Sequence, residues 1–322
     1  MVLGIDTSNY TTSAAVFHGR EGINRSRLLD VAPGQLGLRQ SDALFSHVKR
    51  LPELMEQLFA ETGPGTLEAV AVSTRPRAVE GSYMPCFLAG VSVAKSLAAA
   101  LGIPCCEVSH QQGHVAAALW SAGRLDLMDT PHLAWHLSGG TTELLLVEPE
   151  GRNVRCAKLG GTSDISAGQI MDRTGQLLGL PFPSGKALDQ LATGVSVKQF
   201  RVKTNGLTFS LSGLENKIRE FHEQSGSDAE TAAYAIGSVC GAVLRVTQAA
   251  QEQYPGLEVV FSGGVASNSQ LRRVCSFGVF AAPQFSTDNA LGVAVLGHRL
   301  VLGHGEPLAC KPAPGSWSGP RS

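Results

Sequence analysis

The sequence predicts an α/β protein built from two similar lobes, and three observations carry that expectation. A short apolar strand, a small polar loop and a returning strand occupy residues 2–17, and the same pattern comes back at residues 132–147. Glycine is abundant, at 37 of 322 residues, which suits many tight strand-to-loop junctions. The length of 322 residues is enough for two proper cores and short for three.

Composition narrows the function classes. Hydrophobic residues are 43% and charged residues 16%, as in a folded domain and unlike a disordered chain. A formal net charge of -1 gives no general attraction for nucleic acid, so an RNA substrate would need a local patch or a partner protein. The seven cysteines are odd in number and contain no CxxC pair, against a disulfide framework or a thiolate zinc knuckle. With no basic leader and no apolar run of bilayer length, the sequence predicts a cytoplasmic protein without a membrane segment.

In chain order, residues 2–6 and 13–17 read as strands around the polar loop Thr7-Ser8-Asn9-Tyr10-Thr11-Thr12, with a turn from Gly19 to Gly22. Residues 41–60 are helical, with Leu44, Val48, Leu51, Leu54 and Leu58 on one face and His47 read as solvated or capping. A strand over 67–73 leads into a loop carrying Arg75 and Arg77, either surface charge or contacts to an anionic substrate. Residues 86–101 form a small-residue helix and 103–108 a buried strand. The polar stretch 121–131 is the join between lobes, before strands at 132–137 and 143–147 around Ser138-Gly139-Gly140-Thr141-Thr142. Helices follow over 164–178, from Lys186 and over 229–254, with a small apolar segment at 207–214. A strand over 257–261 precedes the loop Ser262-Gly263-Gly264, and an apolar helix covers 290–302. The expected division is a first lobe over 1–108 to which helix 290–303 returns, a second lobe with the metal and nucleotide cleft over 109–289, and a frayed tail over 304–322.

The stretch Ser109-His110-Gln111-Gln112-Gly113-His114 anchors the functional reading. Ser109 is a good N-cap and the following alanines favour helix, so His110 and His114 lie four apart on one face. Two neutral imidazoles so placed form half of a metal site. Taken alone, the spacing favours the plainer reading of one buried, hydrogen-bonded histidine and one exposed one. Two hairpin loops and a Gly-Gly loop before a helix suit a nucleotide cleft between two similar lobes.

Six pieces in order resemble the TsaD family of tRNA N6-adenosine threonylcarbamoyltransferases, once labelled O-sialoglycoprotein endopeptidases. They are Gly4-Ile5-Asp6-Thr7-Ser8, the HxxxH helix, Ser138-Gly139-Gly140, Ala167-Gly168 with Met171-Asp172-Arg173, Ser262-Gly263-Gly264 with Asn268, and Thr287-Asp288-Asn289. The resemblance implies an actin/hexokinase/Hsp70-like fold with duplicated RNase H-like lobes. It implies metal ligation, by zinc or ferrous iron, through His110, His114 and Asp288, with His136 a possible fourth ligand. It also implies adenine-nucleotide or acyl-adenylate contacts from Ser138, Gly139, Gly140, Thr141, Asp172, Gly185 and Asn268, and partner proteins when tRNA is bound.

The departures from the family pattern are specific. Where relatives read Thr-Ser-Cys-Asp-Glu-Thr, this chain has Thr7-Ser8-Asn9-Tyr10-Thr11-Thr12, so an acidic pair is absent and with it a candidate general base. Thr141 stands where relatives have histidine, and Arg75-Pro76-Arg77 replaces Gly-Pro-Gly. The chain therefore resembles a divergent paralogue. The expected activity is transfer of a threonylcarbamoyl group from its adenylate to tRNA adenosine. The alternatives are an ATP- or carbamoyl-adenylate-binding transferase with a different acceptor, a kinase-like phosphotransferase with Asp6 as base, and a non-catalytic nucleotide-dependent scaffold. Protease chemistry fits least, because His110-Gln111-Gln112-Gly113-His114 lacks the glutamate base of an HExxH enzyme.

Overall fold

The structure is a computed structural model that describes residues 1–8, 10–30, 38–63 and 65–302. Asn9, Cys310 and the expected tail over 304–322 lie outside the described residues. By its internal contacts the chain forms two compact units, one of Met1–Ala116 with Gly151–Asn153 and the segment from Asp288, the other of Ala117–Glu150 and Val154–Thr287. The first unit thus runs past position 108 and takes in His110, His114 and Asp288, which the sequence reading had placed in the second lobe.

Strand β1 (Val2–Ser8) is the centre of the first sheet and is buried along its whole length. It pairs antiparallel with β2 (Thr11–Phe17), which pairs antiparallel with β3 (Gly22–Leu28). Its other edge runs parallel to β4 (Ala69–Arg75), itself parallel to β5 (Cys105–Ser109). Helices α1 (Gln40–Thr62) and α2 (Phe87–Leu101) cover this sheet around a core of Leu3, Ile5, Val16, Leu51, Leu58, Val70 and Val72. Helix α3 (His110–Ser121) follows β5 without a break.

The second sheet repeats the plan. Strand β6 (His132–Leu137) pairs antiparallel with β7 (Thr142–Glu150), beyond which lies β8 (Asn153–Thr162). Then come α4 (Ala167–Leu177), α5 (Gly185–Leu191), the short strands β9 (Thr204–Asn205) and β10 (Thr208–Phe209), α6 (Ser212–Ser225) and the long α7 (Asp228–Gln253). Strand β11 (Val259–Ser262) runs parallel to β6, α8 (Ser269–Val274) follows it, and β12 (Val279–Phe280) runs parallel to β11. The order β3-β2-β1-β4-β5 of the first sheet is matched by β8-β7-β6-β11-β12 in the second, which β10 and β9 extend at the β8 edge. The duplication read from residues 2–17 and 132–147 therefore extends to five strands of each sheet. Trp135 is a fully buried anchor of the second core, with its indole N–H donated to Thr247 Oγ1 at 2.8 Å.

Helix α9 (Leu291–Leu302) packs on β1, β4 and β2 of the first sheet. Gly4 permits the approach, since a Cβ there would lie 2.5 Å from the Ala290 carbonyl oxygen and 2.6 Å from the Ala294 nitrogen. No helix of the described residues is long and apolar enough to cross a membrane.

Three expectations are corrected. Pairing of β1 with β2 continues to Ser8↔Thr11, so Thr7, Ser8, Thr11 and Thr12 are buried strand residues and not an open loop. The face of α1 expected at Leu51, Leu54 and Leu58 is buried, but in the first turns Ala43 and fully buried His47 face inward in place of Leu44 and Val48, and Val48 is exposed. Strands β3 and β8 and helix α6 were not read from the sequence. β3 is half-exposed and polar, and its pattern lacks the alternation that marks a strand.

Candidate functional site

In the first unit, the end of β5 and the start of α3 set the two histidines. Ser109 closes a capping box: the Gln112 N–H donates to Ser109 Oγ at 3.3 Å and the Ser109 N–H to Gln112 Oε1 at 2.8 Å. The Gln111 N–H donates to the Pro76 carbonyl at 3.0 Å, which ties the Arg75-Pro76-Arg77 loop to the first turn of the helix. Asp288 precedes α9, whose start is fixed by the Leu291 N–H on Asn289 Oδ1 at 3.1 Å and the Ala290 N–H on Asn24 Oδ1 at 3.0 Å.

These anchors bring His110, His114 and Asp288 together. His110 Nε2 and His114 Nε2 lie 2.9 Å apart, His114 Nε2 is 3.1 Å from Asp288 Oδ1, and His110 Nε2 is 3.5 Å from the same oxygen. Ligand atoms at ordinary zinc distances on a tetrahedral ion stand about 3.4 Å apart, so this triangle is close to the right size. Two imidazoles and one carboxylate are also a donor set for ferrous iron. The residues fit a divalent metal. The cluster found among the described residues does not include His136, which stands on β6 in the second unit, in register with Glu143 and Ser262.

The electrostatics match. Burial pulls the His110 imidazole down, but the Asp6 and Asp288 carboxylates outweigh it and push it up to about 10. Burial raises Asp288, but hydrogen bonds from His110 and His114 hold it well below the usual carboxylate range. The Asp6 and Asp288 carboxylates make the site attractive to a cation.

Sequence reasoning missed the partners behind the ligands. Asp6 is fully buried, with Oδ2 at 2.9 Å from His110 Nδ1 and Oδ1 accepting from Ser73 Oγ. Each Asp6 oxygen thus has one hydrogen-bond partner, Ser73 on Oδ1 and His110 on Oδ2. Thr11 Oγ1 donates to Asp288 Oδ2 at 3.3 Å. Buried His47 meets Thr12 Oγ1 at 2.8 Å through Nδ1, and burial drives its pKa down to about 4. No local motif flags the Asp6 contact, because 104 residues separate the pair.

In the second unit, the β6–β7 turn is closed by the Ser138 N–H on the Thr141 carbonyl at 2.8 Å and the Thr141 N–H on Ser138 Oγ at 3.1 Å. Gly139 and Gly140 are exposed, and nothing lies within 4 Å of where a Cβ would stand on either. Helix α4 braces this turn: Ser166 Oγ donates to the Gly139 carbonyl at 2.5 Å, and a Cβ on Gly168 would lie 2.5 Å from Gly139 Cα. Asp172 is half-buried and raised by burial, with Oδ1 accepting the Ser184 N–H at 2.9 Å. Gly185, next to Ser184, opens α5 with clear space around it.

Both ends of the Asn268 amide make hydrogen bonds within the second unit. Its Oδ1 caps α8 by accepting from the Gln270 and Leu271 N–H groups at 3.0 and 3.1 Å, and its Nδ2 donates to Asp189 Oδ1 at 2.9 Å. Asp189 also takes the Ser269 N–H and hydroxyl. A cleft of about 430 Å³ opens beside them, lined by Asp189, Thr193, Gln199, Gln270 and Arg273 among others.

Comparison with known proteins follows the same lines. The chain is 34% identical to the tRNA N6-adenosine threonylcarbamoyltransferase of Pelobacter propionicus, over 96% of this chain and 95% of that protein. It is also 34% identical to the enzyme of that name from Streptococcus suis, over 84% and 82% of the two chains. Among solved structures, full-length HypF in its phosphate- and nucleotide-bound form covers 92% of this chain, with 45% of its own length, at a TM-score of 0.59 and 14% identity. The activator of 2-hydroxyisocaproyl-CoA dehydratase from Clostridium difficile, with bound ADPNP, covers 92% of both chains at a TM-score of 0.52 and 12% identity. These two likenesses establish the actin/hexokinase/Hsp70-type α/β fold. The profile of TsaD, tRNA N6-adenosine threonylcarbamoyltransferase, matches residues 36–295, and the chain belongs to that family.

Proposed function

We propose that the chain binds a threonylcarbamoyl-adenylate and transfers its acyl group to the exocyclic amine of a tRNA adenosine, with His110, His114 and Asp288 holding zinc or ferrous iron. The observation that carries the reading is the convergence of these three side chains in a member of this family. In the transfer the amine nitrogen attacks the carbamoyl carbon, the bond from that carbon to the AMP oxygen breaks, and the amine loses a proton. The metal supplies a Lewis acid for the donor's oxygens. Gly139 and Gly140 offer backbone N–H groups with no hydrogen bond among the described residues, suited to the negative charge on departing AMP. Asp172 keeps Oδ2 for a ribose hydroxyl, since only its Oδ1 is bonded among the described residues. Asn268 acts by holding Asp189 and α8 in place.

Metal analysis of the purified protein beside His114→Ala tests the reading. Near-stoichiometric metal in wild type, lost in the variant and weakened as pH falls because protons compete for the same donor atoms, is the expected result. Equal, near-zero occupancy in both overturns it. With a net charge of -1 the chain has no general pull on RNA, so a local patch or partner proteins supply the tRNA affinity.

A second reading is favoured by the first hairpin, where Tyr10 and Thr11 stand in place of the family's acidic pair. In it the adenylate site is kept and another amine is the acceptor, met by the exposed Arg75–Tyr83 stretch. The small molecule retained on gentle purification separates these readings from a nucleotide-responsive scaffold: a carbamoyl-adenylate supports transfer, and ATP or ADP alone supports the scaffold.

A further inference from the structure

The metal reading leaves two contacts unexplained, both made by the hairpin of β1 and β2. A carboxylate as deeply buried as Asp6 is costly unless it is paired. Yet its oxygens take only the Ser73 hydroxyl and His110 Nδ1, and no lysine or arginine pairs with it among the described residues. The cost makes sense once the imidazole is counted as a bridge. With its Nδ1–H given to Asp6, a neutral His110 must present the Nε2 lone pair, and that atom faces His114 and Asp288. Asp6 and Asp288 together carry a formal charge of -2, which one divalent ion balances. On the other side, the Thr11 hydroxyl occupies Asp288 Oδ2 and leaves Oδ1, the atom nearest both histidines, without that bond.

We propose that Asp6 and Thr11 are the positioning residues of the metal centre: Asp6, itself held by Ser73, fixes the tautomer and aim of His110, and Thr11 makes Asp288 a one-oxygen ligand. The inference rests on the metal reading above and assigns that site its outer partners. Carboxylate–histidine–metal arrays of this kind raise ligand basicity, and loss of the outer partner typically lowers metal affinity about 10–100-fold. Thr11 thus places a neutral hydroxyl donor against Asp288.

The test is Co(II) affinity of the full chain, by competition with a chromophoric chelator, together with the visible spectrum of the bound ion. Asp6→Asn should weaken Co(II) binding about 10–100-fold and shift the visible bands. Thr11→Val should weaken it about two- to tenfold, as for loss of one hydrogen bond. In a His110→Ala background Asp6→Asn should change nothing further, whereas a merely structural role would persist there and would lower the melting temperature of the metal-free protein. Should Asp6→Asn fail to fold, Ser73→Ala carries the test, with a smaller loss in the same direction expected. Wild-type affinity and spectrum in the folded Asp6 or Ser73 variant overturn the proposal alone. A wild type that takes up no Co(II) overturns it together with the metal reading.

Discussion

The turn joining β1 to β2 and the turn joining β6 to β7 hold the same place in the two sheets, and they are built in opposite ways. The first is dressed with side chains: hydroxyls of Thr7, Ser8, Thr11 and Thr12 are buried, and Thr11 reaches Asp288. The second is stripped to backbone at Gly139 and Gly140, and α4 presses so close beneath that Gly168 has no room for a Cβ. Duplicating one strand–turn–strand unit thus yields two seats of different chemistry. On the proposed function, one orients metal ligands through side-chain atoms, and the other offers amide hydrogens to an anion.

The strongest way to break this contrast is to restore the family's acidic pair in the first turn. Supplied with threonylcarbamoyl-adenylate, unmodified tRNA and the partner proteins of the family, wild type should be slow, because loss of a general base costs roughly 10²–10⁴-fold, or about 3–5 kcal/mol of barrier. Tyr10→Asp with Thr11→Glu should recover rate. Robust wild-type turnover would show that the side chains of this turn are not what sets the chemistry.

A second effect is confined to the first unit and is read as stability against pH. His47 is held near 4 when folded, against 6.5 for an ordinary imidazole, so the unfolded chain binds its proton more tightly. Its contribution is therefore complete above pH 6.5 and is lost as pH falls towards 4, by about 3 kcal/mol. Urea unfolding of wild type and His47→Gln from pH 7 to pH 4.5 should show a steeper loss in wild type. Parallel curves would mean that His47 is not the acid-sensitive group of the first unit.

In the second unit the expected losses are smaller and concern the nucleotide. Asp172→Ala should cost roughly 1.5–3 kcal/mol of adenine-nucleotide binding, a tenfold to hundredfold drop by calorimetry, with metal content unchanged. An unaltered affinity would detach Asp172 from the ribose. Last, Ser166 caps α4 by accepting the Gln169 N–H at 3.1 Å and holds the Gly139 carbonyl. Ser166→Ala should cost about 1 kcal/mol in urea unfolding and weaken nucleotide binding in step. A stability loss with no change in binding would show that the glycine turn keeps its shape without the brace.

Much of this was legible in the sequence where the signal is local. Strand β6 falls on the residues expected, and the i,i+4 histidines and their Ser109 cap follow from short-range geometry. The first turns of α1 were misread because His47 counted as polar, although with Ala43 it continues the correctly read row of Leu51, Leu54 and Leu58. Asp6 was visible as a carboxylate at a strand end, but its commitment to Ser73 and His110 depends on β1, β4 and α3 meeting in space. The same holds for Asn268, whose capping of α8 is local while its bond to Asp189 spans 79 positions.

Helix α9 has a consequence for how the protein is made. Asp288 lies 174 positions beyond His114 and is brought to the histidines by a helix that seats on Gly4, in the strand synthesised first. A nascent chain can build the first five strands and both histidines and still lack Asp288 beside them until α9 has left the ribosome. On the proposed function, capture of a metal by all three side chains is then a late event in biogenesis. A methyl group at Gly4 would interfere with that final step from the opposite end of the chain.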